Sequence, residues 1–261
     1  MTCKKENISM FQALRARLFQ GYRTGAFPPA KPNLPPHFQG RPVLVQEKCP
    51  PPEELNEECP TRAFLRREND HTMLDCGKCI FCGKCAKKFP EAIRFTEEYR
   101  LGSFTREGLI ADHTPYTPEE QLKEGIKKMC GRSLKIRQVS AGGCAACELD
   151  FNVLHTLAWD MGRFGIQAVA SPRHADCILV TGPVSENMLL ALKKTYEAMP
   201  EPCFVIACGT CAVSGGIYQD SPAVAGPLDK ILKVDLYVPG CPPHPATLLE
   251  ALLRFIGRQK K

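Results

Sequence analysis

The chain has 261 residues, a formal net charge of +6, and ordinary shares of hydrophobic (44%) and charged (24%) residues. These proportions suit one large or two smaller domains with a real core, and they exclude wholesale disorder and a multi-span membrane protein. The basic excess is modest and spread along the chain, with no aromatic-interleaved basic tract, so nucleic acid is not an expected partner.

The opening stretch, MTCKKENISMFQALRARLFQGY, is basic but has no long apolar run and no small-residue cleavage site, which argues against an export signal. No run approaches the length of a membrane span, and the reducing cytoplasm is the expected setting. Ile8, Phe11, Leu14, Leu18 and Tyr22 recur at helical spacing, with Arg15, Arg17 and Arg23 among them. That pattern predicts a helix that lies on a membrane surface or membrane-embedded partner, or else packs on its own protein. FPPAKPNLPPHFQGRP predicts an extended, semi-rigid arm. Helix and arm together occupy residues 1–45.

Residues 46–100 are dense in cysteine, and the whole chain has 15. Two-residue gaps between cysteines, without an export signal, point to metal ligation over disulfides. Two-cluster ferredoxins carry two copies of C-x2-C-x2-C-x3-C-P, and the fourth cysteine of each copy ligates the other cluster. Here the first copy reads Cys49, Pro52, Leu55, Cys59, and the second reads Cys79, Cys82, Cys85, Phe89. After the crossover, one cluster keeps only Cys49, while the other keeps Cys59, Cys79, Cys82 and Cys85. The expectation is a small α+β ferredoxin-like module with a single 4Fe–4S cluster, in which Cys76 is surplus. A competing assignment, Cys76, Cys79, Cys82 and Cys85 around zinc or iron, needs no crossover.

A polar connector over residues 101–133, including HTPYTPEEQ, leads into a different pattern. From Leu134, the short β-branched runs KIRQVS, IQAVA, CILVTG, CFVIAC and VDLYVPG alternate with the helical patterns ELDFNVLHTLAWDMGRF, ENMLLALKKTYEAM and PATLLEALLRFIGRQ. This alternation predicts a doubly wound, mainly parallel α/β sheet over residues 134–261, flavodoxin-like in plan. Ligands of such sheets bind beyond the carboxyl ends of the strands. Cys144 and Cys147 follow the first strand, Cys211 follows CFVIAC, and Cys241 follows VDLYV. Four convergent thiolates suit a 4Fe–4S cluster or a structural zinc, and spacing alone does not separate them. Cys208 is the rival of Cys211, while Cys177 and Cys203 sit in apolar strand patterns and read as core. No Ser–His–Asp arrangement, GxxxxGK[ST] or GxGxxG is present, so the cysteines read as ligands and not as nucleophiles.

GGCAACE, SPRHAD, GTCAVSGGIY and VPGCPPHP, in that order, resemble the small, cluster-carrying subunit of membrane-bound energy-converting NiFe hydrogenases of the formate hydrogenlyase type. The homologous subunit of respiratory complex I is a more distant match. The Cys144-x-x-Cys147 spacing is hydrogenase-like, whereas complex I proteins usually have adjacent cysteines there. The resemblance covers residues 134–258. It implies a 4Fe–4S cluster on Cys144, Cys147, Cys211 and Cys241, beside the active site of a catalytic large subunit. It also marks Glu148 for proton relay or cluster tuning, beside its plainer reading as a helix-starting glutamate. Arg173 and His174 would line the cavity or partner interface, or serve as loop residues.

The stretch LFQGYRTGAFPPAKPNLPPHFQGRPVLVQEKC is similar to the first segment of the two-cluster ferredoxin subunit of the same complexes, whose helix and arm run along the membrane arm. The resemblance therefore implies a fusion of two neighbouring subunits carrying two 4Fe–4S clusters. Such a protein would transfer electrons within a hydrogenase-like oxidoreductase complex without being catalytic alone. It would be peripheral, on the cytoplasmic face of the membrane, with a NiFe-hydrogenase-like large subunit and other iron–sulfur and membrane-arm subunits as partners. A complex I-like quinone oxidoreductase subunit is the alternative, and a zinc-stabilised scaffold is a second.

Overall fold

The computed structural model describes residues 10–21, 24–28, 34–66, 71–112, 118 and 133–258. Ile8, Tyr22 and Arg23 of the predicted first helix, residues 29–33 of the arm, and most of the predicted connector lie outside the described residues. The first helix, α1, runs Met10–Gln20 and buries none of its residues. Phe11 is 76% and Leu18 83% exposed. Of the two expected settings, packing on its own protein is not seen among the described residues.

The next part of the chain contains β1 (Pro42–Leu44), α2 (Pro52–Glu58), β2 (Phe64–Arg66), β3 (Thr72–Asp75), α3 (Lys84–Lys88), β4 (Ile93–Phe95) and β5 (Ile110–Ala111). β1 pairs antiparallel with β4, while β2, β3 and β5 form a three-stranded antiparallel sheet. β5 comes from the expected connector. Leu44, Leu55, Phe64, Leu74, Ile93 and Leu109 are buried between these elements. α2 starts on Pro52, whose missing N–H costs nothing at that position. Pro52 and Leu55 are buried, and Phe89 packs against the same core. The three positions where a second cluster would need ligands thus hold apolar side chains of the core.

The C-terminal half holds β6 (Leu134–Ser140), α4 (Ala146–Val153), β7 (Ile166–Ala168), β8 (Cys177–Thr181), α5 (Glu186–Glu197), β9 (Phe204–Cys208), α6 (Thr210–Ser214), β10 (Leu236–Val238) and α7 (Pro245–Phe255). Its five strands are all parallel, in the order β10-β9-β8-β6-β7. Counted from β6 this is 2-1-3-4-5, the flavodoxin-like order, with its switch point between β6 and β8. Every residue of β8 is buried, as expected of a central parallel strand covered on both faces.

One predicted helix is shorter than its pattern. ELDFNVLHTLAWDMGRF is helical only to Val153, and Asp160 adopts a left-handed conformation (φ 43°) before a 3-10 turn over Met161–Phe164. The cause is tertiary: Trp159 leaves the helical path to meet Phe27 and His244 edge-on, at centroid distances of 5.9 Å each.

The two halves share packing. One buried cluster contains Leu74 and Leu109 together with Val139, Val180 and Val213. Ser103 and Tyr237 exchange backbone hydrogen bonds of 2.9 and 2.8 Å. Arg254 on α7 donates to the Gly102 carbonyl at 2.5 Å, and Arg62 pairs with Asp220 at the surface. Gly77 lies so close to α6 that an added Cβ would sit 2.8 Å from Val213 Cγ1.

Candidate metal centres

Parallel strands that end on one edge of a sheet deliver their following loops to one place. β6 leads through Gly142 and Gly143 to Cys144, and Cys147 lies on the first turn of α4. β9 leads through Gly209 to Cys211 on α6, and β10 leads through Gly240 to Cys241. Gly209 has φ +88°, and an added Cβ there would sit 2.5 Å from Cys147 Sγ, so only a bare backbone fits beside that sulfur.

Cys144 and Cys241 are exposed, while Cys147 and Cys211 are half-buried. Burial pushes the Cys211 thiol up to about 12, and the neighbouring Cys241, Cys147 and Cys144 add to the rise. Cys241 is raised by burial and then by Cys147 and Cys144. Cys211 and Cys241 thus each feel Cys147 and Cys144 nearby.

Cys208, the rival of Cys211, is fully buried behind this group and hydrogen-bonds to Cys147. That bond lowers Cys147 against the opposing effect of burial, while the same bond and complete burial raise Cys208 well above its usual value. Cys177 is buried in β8, and Cys203 packs at the edge of the core.

Glu148 accepts a hydrogen bond from Thr181 Oγ1 at 2.7 Å. Partial burial works to raise its carboxyl, but bonds from Ser140 and Thr181 outweigh this and the net shift is downward. Arg173 and His174 lie on a 3-10 turn, Pro172–His174, that buries none of its residues.

The second group gathers around a narrow cavity of only about 10 Å³. Cys59, Cys79, Cys82 and Cys85 all line it, with Ala63 and Leu74. Cys59 directly follows α2, Cys79 and Cys82 lie on the loop before α3, and Cys85 lies on α3. The Ala63 N–H donates to Cys59 Sγ at 3.4 Å, and the Phe81 N–H donates to Cys79 Sγ at 3.3 Å. Such bonds favour thiolate sulfur, and they are among the features that tune bound clusters. Burial pushes Cys85 up to about 11, with Cys59 and Cys82 adding to it.

Cys76 does not line the cavity. It is 1% exposed, and burial pushes its thiol up to about 12. Cys49 is half-buried, raised by burial and hydrogen-bonded to Thr72. Cys59, Cys79, Cys82 and Cys85 thus line one cavity; Cys76 and Cys49 do not line it, though Cys76 neighbours Cys79 and adds to the rise of its thiol. Among the described residues, no three His, Cys, Asp or Glu side chains stand close enough to hold one metal ion between them.

Sequence reasoning passed over Thr210. Its hydroxyl donates to the Cys79 carbonyl at 2.9 Å and lies 3.2 Å from the Gly240 carbonyl. Only its place beside Cys211 hinted at a role.

Residues 144–255 match the family described as NADH ubiquinone oxidoreductase, 20 Kd subunit. The chain is 40% identical over 151 residues to the probable membrane-bound hydrogenase subunit mbhJ of Pyrococcus furiosus, a match covering 57% of this chain and 90% of that protein. It is 39% identical over 146 residues to formate hydrogenlyase subunit 7 of Escherichia coli, covering 55% of this chain and 57% of that one. Identity to an NADH-quinone oxidoreductase subunit of Geotalea daltonii is 45% over 121 residues, covering 45% of this chain and 71% of that one. Cys144, Cys147, Cys211 and Cys241 lie within the family match, whereas Cys59, Cys79, Cys82 and Cys85 precede it.

Proposed function

Because the chain belongs to the family of the NADH ubiquinone oxidoreductase 20 Kd subunit, we propose that it is an electron-transfer subunit of a membrane-associated, hydrogenase-like oxidoreductase complex. In this reading, Cys144, Cys147, Cys211 and Cys241 hold one 4Fe–4S cluster. Cys59, Cys79, Cys82 and Cys85 hold a second, in a ferredoxin-like module over residues 46–100. Residues 1–45 form the helix and arm, residues 101–133 the connector, and residues 134–261 the second cluster domain.

What supports this reading is that Cys59, Cys79, Cys82 and Cys85 line one cavity, and that Cys211 and Cys241 each feel the charge of Cys144 and Cys147. The donor chemistry fits: soft thiolates suit iron–sulfur clusters, and N–H···S bonds stand ready at Cys59 and Cys79. Gly209 supplies a bare backbone face against the Cys147 sulfur. When bound, such clusters give and take single electrons, so the chain needs no substrate pocket of its own. Its residues position, shield and space the two sites.

Cys144 and Cys241 are exposed, with Leu149 (63%) and Ile217 (55%) exposed on neighbouring segments. That face suits a catalytic large subunit of NiFe-hydrogenase type, which completes the enzyme. Other iron–sulfur and membrane-arm subunits are the further partners. Among the described residues, no helix is long and apolar enough to cross a membrane. The uncovered apolar side chains of α1 supply a contact for peripheral attachment on the cytoplasmic face.

Quantifying iron, acid-labile sulfide and zinc tests this directly. About eight irons and about eight sulfides per chain are expected; zinc without sulfide rejects the reading in favour of a scaffold. A second reading, a quinone-reducing complex, is favoured by the 45% identity to an NADH-quinone oxidoreductase subunit. The co-purifying large subunit decides between them: two CxxC pairs for nickel support the hydrogenase reading, and their absence supports the quinone one.

A further inference from the structure

Resting on the reading that both cysteine sets hold clusters, we propose that Thr210 is the positioning residue that fixes the two sites against each other and sets how fast electrons cross between them. Thr210 is 1% exposed. Its hydroxyl donates to the carbonyl of Cys79, a residue 131 positions earlier, and also approaches the Gly240 carbonyl. The Thr210 N–H donates to the same Gly240 carbonyl at 2.8 Å.

Cys79 belongs to one site. Gly240 immediately precedes Cys241, and Thr210 immediately precedes Cys211, both of the other site. One buried hydroxyl therefore ties a loop of the first set to two loops of the second. Gly77, two residues before Cys79, packs on Val213 of the same short helix, so the contact is held on two sides.

A tunnelling electron is attenuated less through covalent and hydrogen bonds than across a van der Waals gap. The route Cys79 carbonyl to Thr210 hydroxyl to Cys211 is bonded throughout. The step is simple in its balance. With both sites loaded, one electron would pass from a reduced cluster at one site to an oxidised cluster at the other, with no bond made or broken and no proton required.

The test uses the full chain with both clusters loaded. A pulse-generated viologen radical serves as the one-electron reductant. The readouts are the rate of equilibration between the clusters and the magnetic interaction of the two reduced clusters by EPR. Thr210→Val keeps the shape and removes the hydroxyl; Thr210→Ser keeps the hydroxyl.

Thr210→Val should retain its iron, weaken the EPR interaction and equilibrate roughly tenfold more slowly, since small misplacements lower rates steeply. Thr210→Ser should match the parent in both readouts. A fully loaded Thr210→Val chain at the parent rate overturns the proposal, as does a Thr210→Ser chain slowed equally. Where Thr210→Val fails to load, Thr210→Ala is the second hydroxyl-free variant, and the parent rate in it overturns the proposal too. A parent chain that binds only about four irons instead fails the two-cluster reading itself, and the inference falls with it.

Discussion

The guanidinium of Arg106 grips the carboxylate of Asp75 at both oxygens, Nη1 to Oδ1 at 2.8 Å and Nη2 to Oδ2 at 2.5 Å. Asp75 ends β3, accepts the Gly77 N–H on the same Oδ1, and accepts the Cys79 N–H on its carbonyl. The pair thereby holds the turn that delivers Cys79. The Asp75 side chain is only 4% exposed, so removing its partner leaves a buried carboxylate unpaired. Arg106→Ala should cost about 3 kcal/mol and release iron first from the Cys59/Cys79/Cys82/Cys85 site. Guanidinium-induced loss of visible absorbance, with iron counted at each step, checks this. An unchanged midpoint would show that the turn holds without the pair.

Cys59 and Cys76 differ in position more than in chemistry, and serine separates them. Cys59→Ser should reduce bound iron from about eight to about four per chain, whereas Cys76→Ser should leave it unchanged. The reverse pattern would restore the assignment without crossover.

Gly209→Ala tests the other site. The new methyl would face Cys147 Sγ at 2.5 Å, on a backbone with φ +88°. The expected outcome is loss of the C-terminal iron with the N-terminal cluster intact, read by iron content and EPR. Full iron content in this variant would mean that the sulfur has room to move aside.

The pH behaviour of Cys76 follows from its burial. Its thiol is raised from 9.0 to about 12, chiefly by burial, with Asp75 adding to the rise and Arg41 and Arg106 opposing it. The folded chain therefore keeps this proton where the unfolded chain has lost it. The resulting stability is full below pH 9 and is lost as pH rises from 9 to 12. Cys76→Ala should flatten part of that alkaline decline in denaturant titrations. In the parent, the thiol should resist alkylation at about pH 8, below its unfolded value, until the chain unfolds. Rapid labelling of Cys76 in the folded protein would contradict the burial.

The sheet was legible from Leu134 onward because its strands are short apolar runs, and Cys177–Thr181 is buried throughout. The place of Cys144, Cys147, Cys211 and Cys241 just beyond strand ends was legible too, because the strands that precede them are the apolar runs of a parallel sheet. Local pattern failed where distant side chains intervene. Trp159 fits a helical stripe, yet its contacts with Phe27 and His244 draw the chain out of the helix after Val153. Thr210 left no local mark beyond its place beside Cys211, because its acceptor is 131 residues away in the sequence. α1 shows the opposite case: its periodicity is real, but periodicity does not say what the apolar face meets.

Leu55, fully buried, and Phe89, packed on the same core, stand where a second set of ligands would have to be. The half of the module around them is therefore held by ordinary packing. Under iron starvation that half should keep its shape as a ready template, so that recovery requires filling one cavity rather than refolding a domain.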